Sequence, residues 1–185
     1  MEKKNKASDL QIHTGVEVMR CYQCGKCTAG CVLASDMNYP PSYLMRLLQT
    51  GTKQNYDKIL SSNSIWLCLN CENCVGRCPM EIDIPKMMDY LRSQAIKANT
   101  LHPDSRPIIS FHRSFLDSIK YTGRLYEMGL IAAFKARTFR MTQYLTLAPG
   151  MYLKGKLHLL PEKIKDRRSM KRIFAQTIEN VKTEN

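Results

Sequence analysis

With 185 residues, 44% of them apolar and 24% charged, the chain has the composition of a folded protein of one ordinary domain or two small ones, and wholesale disorder is excluded. No run approaches the roughly 18 uninterrupted apolar residues of a membrane span, and Met1-Glu2-Lys3-Lys4-Asn5-Lys6 leads to Asp9 without the apolar core of a secretory leader, so a cytoplasmic protein is expected. There are 28 Lys and Arg against 16 Asp and Glu, a net charge of +12, and eight cysteines.

The first patterned stretch, Val16-Glu17-Val18-Met19, alternates as a short strand would. Cys21, Cys24, Cys27 and Cys31 follow as C-x2-C-x2-C-x3-C. Pro40-Pro41-Ser42 opens a predicted helix over Tyr43–Thr50, and Gly51 stands just past its end. Cys68, Cys71, Cys74 and Cys78 then repeat the first spacing, so the two copies use every cysteine in the chain. After them Asp83 caps a helix with Pro85 in its first turn, and Met87, Met88, Leu91, Ala95 and Ala98 recur at helical spacing.

A further helix is predicted over Pro107–Thr122. Its apolar face is Ile108, Phe111, Phe115, Leu116 and Ile119, and Gly123 suits its C-terminal cap. The pattern from Leu125 to Leu147 is again helical, weakened by Gly129 and broken by Ala148-Pro149-Gly150. Lys163–Glu179 reads as a basic terminal helix with Ile164, Met170, Ile173, Phe174 and Ile178 on its apolar side. The fold class expected is mainly α, with loops wrapped around the cysteines: a cysteine domain over residues 1–100 and a basic helical extension over 101–185. Residues 1–100 carry 12 basic and 9 acidic side chains, whereas 101–185 carry 16 and 7, so chemistry and docking divide along the same line.

Structural disulfides are rare in a reducing compartment, so eight thiols there point to metal or redox chemistry. An iron–sulfur cubane needs four thiolates converging on one compact group. Two-residue gaps let three cysteines of one loop reach it, and the fourth must arrive from elsewhere. In the bacterial ferredoxin run the last cysteine ligates the other cluster. The spacing therefore predicts one [4Fe–4S] cluster on Cys21, Cys24, Cys27 and Cys78, and a second on Cys68, Cys71, Cys74 and Cys31. Cys78 is followed by Pro79, as in the ferredoxin run, whereas Cys31 is followed by Val32. Zinc ribbons, the competing reading, present separated C-x2-C pairs and leave the third and fourth cysteines of each run unexplained.

Tyr22, Gln23, Lys26, Thr28, Leu69, Asn70, Glu72, Asn73 and Arg77 fill the loops. They read individually as solvated positions, some of them placed to tune a cluster by charge or hydrogen bonding. Trp66 reads as core. No phosphate loop or dinucleotide fingerprint occurs, and His13, His102, His112 and His158 are isolated, so no catalytic residue is assigned. The chain reads as a relay for electrons.

Two such runs separated by the 36 residues from Val32 to Leu67 resemble the α-helical ferredoxin domain of succinate dehydrogenase and fumarate reductase iron–sulfur proteins. The resemblance narrows at Cys21-Tyr22-Gln23-Cys24-Gly25-Lys26-Cys27-Thr28-Ala29-Gly30-Cys31, Tyr39-Pro40-Pro41 and Met45-Arg46-Leu47-Leu48-Gln49. With Phe111-His112-Arg113-Ser114-Phe115 and Gly123-Arg124-Leu125-Tyr126-Glu127, the chain is similar to HdrC, the two-cluster iron–sulfur family of heterodisulfide reductase, over most of its length. That resemblance implies two [4Fe–4S] clusters passing electrons from the flavin-bearing subunit of the complex to its catalytic subunit. There the disulfide of coenzymes M and B is reduced in methanogenesis. A hydrogenase or formate dehydrogenase would supply the electrons in a soluble, multisubunit oxidoreductase.

Two other readings stand beside it. One is a relay protein of a different dehydrogenase, of fumarate reductase or sulfur-linked type, although no cysteines remain for an additional [2Fe–2S] domain. The other is a zinc-stabilised nucleic-acid-binding protein, suggested by Lys163, Lys165, Arg167, Arg168, Lys171 and Arg172. No recognised module accompanies these residues, and docking to an acidic partner in the complex explains them with no nucleic acid involved.

Overall fold

The computed structural model describes residues 6–138, 150, 153–155, 164 and 166–176. They fall in two units, Met1–Arg106 and Pro107–Asn185. The first unit is built from α1 (Lys6–Thr14), α2 (Lys26–Ala29), α3 (Pro41–Gln49), α4 (Lys53–Leu60), α5 (Ser64–Leu67), α6 (Asn73–Gly76) and α7 (Ile84–Lys97).

Helix α3 begins where proline is tolerated, with Pro41 at its first position, where the missing N–H would have had no partner. It buries Leu44, Met45, Leu47 and Leu48 and leaves Arg46 exposed. Helix α7 is capped by Asp83, whose carboxylate accepts from the Lys86 N–H at 3.0 Å. Its buried residues Ile84, Met87, Met88, Leu91 and Ala95 recur every three or four positions and so form one stripe. Helices α1, α4 and α5 pack on α7, and α3 packs on α4 and α2. Leu10, Leu44, Met45, Ile59, Ile65, Met87, Met88 and Leu91 are almost wholly excluded from solvent. Each such side chain contributes about 1.5–3 kcal/mol of burial.

A polar clasp holds α1 to this core. Tyr90 of α7 donates its hydroxyl to Asp9 at 3.0 Å, and the His13 ring stacks on Tyr90 at 5.5 Å. Burial, reinforced by the Asp9 carboxylate, pushes Tyr56 up to about 12, and burial with the bond to Asp9 moves Tyr90 the same way. Both phenols are therefore neutral at physiological pH and able to donate.

The strand expected at Val16–Met19 is instead an extended entry into a 3-10 turn over Val18–Arg20. Val16 and Val18 are buried and Glu17 and Met19 exposed, so the alternation is real. What is missing is a ladder: the Arg20 and Cys21 N–H groups bond back to Glu17 and Val18, and no strand occurs among the described residues.

The second unit holds α8 (Arg106–Thr122), α9 (Glu127–Thr138) and α10 (Arg167–Phe174). Helix α8 ends at Gly123, which adopts φ +80 and donates to the Ile119 carbonyl at 2.8 Å. Arg137 of α9 reaches Asp117 at 2.6 Å and Ser114 Oγ at 3.1 Å on α8, and Phe134 meets Phe111 edge-on at 6.0 Å. Asp166 caps α10 by accepting from the Ser169 N–H at 3.1 Å. Helix α9 starts two residues and α10 four residues later than the sequence pattern suggests, and residues 139–147, 163, 165 and 177–179 of the two expected helices lie outside the described residues. Among the described residues no helix is long and apolar enough to cross a membrane.

The Asp83 cap gives a direct test of how α7 is held. Replacing Asp83 with Ala should lower stability by about 1 kcal/mol, while Asn should cost only a few tenths. The midpoint of urea unfolding under anaerobic conditions reads the difference.

Candidate metal centre

The two cysteine runs fold alike, residue for residue. In the first, Gln23 and Gly25 on either side of Cys24 adopt positive φ, 63 and 77, and the chain then enters α2. In the second, Asn70 and Glu72 on either side of Cys71 do the same, at 51 and 61, before α6. A left-handed residue on each side of the middle cysteine reverses the chain tightly enough to bring the first three cysteines of a run to a common cavity. Glycine takes that conformation without cost, whereas an L-residue such as Glu72 holds it at about 1–2 kcal/mol. Helices α2 and α6 pack against each other, so the loops meet back to back. Cys27 is buried, Cys24 and Cys71 are exposed, and the other five are half-buried.

The eight cysteines sort into two cavities. Cys21, Cys24, Cys27 and Cys78 line one, closed by Met45, Ile82 and Ile84, with about 320 Å³ of empty space counting its mouth. Cys31, Cys68, Cys71 and Cys74 line the other, walled by Met37, Leu67 and Met88, with about 440 Å³ counted the same way. Each run thus sends three cysteines to its own cavity and its fourth to its neighbour's. Four zinc thiolates at about 2.3 Å from the metal would stand about 3.8 Å apart. Among the described residues no three Cys, His, Asp or Glu groups are gathered for a single ion. The donor set, four soft thiolates in an apolar cup larger than one ion, fits an iron–sulfur cubane.

Hydrogen bonds pin the loops from behind. Gln49 of α3 donates to the Cys21 carbonyl at 2.6 Å and the Val18 carbonyl at 3.3 Å. Its own oxygen accepts from Gln23 at 2.9 Å, and Gln23 also reaches the Cys21 sulfur at 3.5 Å. The Ile82 N–H points at the Cys78 sulfur at 3.4 Å.

On the second loop Arg92 of α7 does the equivalent work. It donates to the Ile65 carbonyl at 2.5 Å and to the Cys68 carbonyl, and pairs with Asp89 at 2.8 Å. Asp89 in turn accepts from Asn70 at 3.0 Å. Neither Arg92 nor Asp89 stands out in the sequence; the i, i+3 spacing of an acid and an arginine on a helix was the available signal. Trp66 is buried in α5, as expected of a core residue.

Burial pushes the Cys27, Cys68 and Cys74 thiols up, Cys74 to about 11. Neighbouring thiols add to this: Cys21 acts on Cys27, Cys31 and Cys71 on Cys68, and Cys68 and Cys27 on Cys74. For Cys68 the Asn70 backbone N–H and Arg92 pull the other way. Four crowded thiols resist collective ionisation unless cationic metal neutralises them. The effect of Cys27 on Cys74 also sets the two cavities side by side.

Removing Arg92 would leave the Ile65 and Cys68 carbonyls without their charged donor. Arg92→Ala should therefore cost about 2–3 kcal/mol and Asp89→Ala, which deletes the more exposed partner, under 1 kcal/mol. Hydrogen exchange at the Cys68–Cys71 amides should quicken in the first variant and barely change in the second.

Residues 17–82, which contain both runs, match the family described as the 4Fe-4S dicluster domain. The chain is also similar to the HdrC-type protein of the H(2):CoB-CoM heterodisulfide,ferredoxin reductase of Methanothermobacter thermautotrophicus, at 32% identity over 91 residues, 49% of this chain and 48% of that protein. The CoB--CoM heterodisulfide reductase iron-sulfur subunit of Methanopyrus kandleri is 31% identical over 96 residues, 52% of this chain and 48% of its own. The corresponding protein of the Ferredoxin:CoB-CoM heterodisulfide reductase of Methanosarcina mazei is 29% identical over 94 residues, 51% and 56% respectively. The match spans about half the length of these relatives. By sequence, residues 17–82 are similar to the 4Fe-4S dicluster family, and about half of the chain is similar to HdrC-type proteins.

Proposed function

We propose that the chain is the electron-transfer subunit of a heterodisulfide reductase complex and holds two [4Fe–4S] clusters. Cys21, Cys24, Cys27 and Cys78 hold one, and Cys68, Cys71, Cys74 and Cys31 the other. The clusters relay electrons from the flavin-bearing subunit to the catalytic one, which reduces the heterodisulfide of coenzymes M and B, and this chain carries no catalytic residue of its own. The observation that supports this reading above all is the exchange of the fourth cysteine between the two cavities. Two adjacent sites for one-electron cofactors make a wire. The relatives' names specify different electron donors, H(2) in one and ferredoxin in another, so the donor is a property of the neighbouring proteins in the complex.

Anaerobically purified protein should contain about eight irons and eight acid-labile sulfides per chain, with the reduced form giving the EPR signature of two interacting [4Fe–4S]⁺ centres. Zinc without sulfide would overturn the reading. The crossing has its own test. Cys31→Ser should cost chiefly the cluster on the Cys68–Cys74 loop, and Cys78→Ser chiefly the cluster on the Cys21–Cys27 loop. Loss of the cluster on the mutated run itself would refute the crossed assignment.

The excess positive charge of the second unit is the docking element in this proposal, facing an acidic surface on a partner in the complex. Deletion of residues 163–185 should leave iron content intact and weaken assembly with the flavin-bearing and catalytic subunits most at low salt, the difference from the full chain shrinking as salt rises. Assembly equal to that of the full chain would remove this role from the basic segment.

A further inference from the structure

We propose that Arg77 is a positioning residue shared by both clusters, an exposed positive charge whose flexible end lies over Gly30 between the two cysteine loops and holds both reduction potentials up. This role rests on the two-cluster reading and adds to it the group that couples the clusters electrostatically.

The two loops correspond position by position. Each run has one residue between its short helix and its fourth cysteine, the cysteine that crosses to the other cavity. In the first run that residue is Gly30 and in the second it is Arg77. The structure stacks the two. A Cβ built on Gly30 would lie 2.5 Å from Arg77 Cδ, 2.7 Å from Nε and 3.1 Å from Cζ, so the guanidinium end of Arg77 occupies the space that any side chain at position 30 would need. Gly30 has φ −95 and ψ −2, a conformation open to any residue, so its backbone does not call for glycine here and the arginine does.

That seat places the charge symmetrically in the sequence of ligands. Gly30 directly precedes Cys31 of one cavity and follows Cys27 of the other by three residues. Arg77 directly precedes Cys78 of the first cavity and follows Cys74 of the second by three. The far end of Arg77 therefore lies against the Gly30 segment, between Cys27 of one cavity and Cys31 of the other. Arg92, the other arginine tied to a loop, has its charge compensated by Asp89 at 2.8 Å. Among the described residues no carboxylate pairs with Arg77, which leaves its charge to act on its surroundings.

A cluster gains one negative charge when reduced, so an uncompensated cation beside it favours the reduced state, and removing that cation lowers the potential. A charge shared by both clusters moves both in the same direction. It also limits the repulsion between two reduced clusters in adjacent cavities, the state a relay passes through when electrons arrive faster than they leave.

The test is a potentiometric titration of the whole chain, with EPR of the reduced clusters as the readout. Arg77→Gln keeps much of the length and hydrogen-bonding capacity of the side chain and removes the charge. It should lower both midpoints by about threefold in each reduction equilibrium, or about 28 mV at 59 mV per tenfold for one electron. Arg77→Lys keeps the charge and should retain most of the potential, which a merely structural role would not explain. Gly30→Ala leaves Arg77 in the chain but displaces its flexible end from the seat, and should shift both midpoints in the same direction by a smaller amount. Should Arg77→Gln fail to retain iron, Gly30→Ala against Arg77→Lys decides the matter. Midpoints unmoved in Gly30→Ala and in any iron-retaining Arg77→Gln, or movement of one cluster alone, would overturn the proposal. Absence of about eight irons and sulfides from the unaltered protein would overturn the two-cluster reading instead.

Discussion

The constraint on which the first unit depends is the exchange of one cysteine between two loops. Neither C-x2-C-x2-C-x3-C run completes a four-thiol cavity alone, because the fourth cysteine lies beyond a short helix and points to the neighbouring site. The runs must therefore meet, and α2 packing on α6 is the contact through which they do. The intervening residues 32–67 have to leave the first loop and return to the second over a short distance. They do so as α3, α4 and α5: α4 and α5 pack on α7 and α3 on α4, and together with α7 they supply most of the buried core. Bonds across the return fix its ends: Asn38 and Asn63 exchange backbone-to-side-chain bonds at 2.8 and 2.9 Å, and the Tyr39 N–H donates to Ser64 at 2.7 Å. A metal group in either cavity would bridge both runs, so metal binding and folding of this unit are linked.

The loops are near-copies, and their departures from one another are informative. Left-handed positions recur at Gln23 and Asn70, then at Gly25 and Glu72. An exposed apolar side chain follows the first cysteine of each run, Tyr22 in one and Leu69 in the other. The behind-the-loop donor differs in kind. Gln49, a neutral amide from α3, holds the first loop, whereas Arg92 from α7 holds the second and brings a charge that Asp89 balances. The symmetry fails most plainly at Gly30 and Arg77, where one run supplies an empty position and the other fills it. A side chain at position 30 would have to displace the flexible end of Arg77.

Much of the architecture was legible in the sequence because it is carried by local signals. Pro41 and Gly51 bracket α3, Asp83 and Pro85 start α7, and Gly123 ends α8, each acting through backbone conformation or a cap formed within a few residues. Helix α4 carried a comparable signal, Thr52 as its cap and Tyr56, Ile59 and Leu60 on one face, but its two turns are short against the background of a long linker. The strand suggested at Val16–Met19 shows the opposite error: alternation reports burial on two sides, and only a partner strand makes it a sheet. The repeated cysteine spacing was visible in the sequence because it is local to each run. Arg92 and Arg77 were not, because what distinguishes them is a neighbour far away in sequence, the Cys68 carbonyl in one case and the bare backbone of Gly30 in the other.

A relay also needs exits, and the exposure pattern bears on where they are. In each run the middle cysteine, Cys24 or Cys71, is the exposed one, and the apolar residue two positions before it, Tyr22 or Leu69, is more than half exposed. Val32 adds a third exposed apolar side chain at the mouth of the second cavity. Apolar contacts around an exposed ligand exclude water when a partner docks, which brings the two redox groups to a short, dry separation without a large interface. Both cavities have such a mouth, so under the proposed relay the loops would make a wire with two similar ends. Direction would then come from what the ends meet, with the basic second unit proposed as the element that selects partners, independently of the clusters.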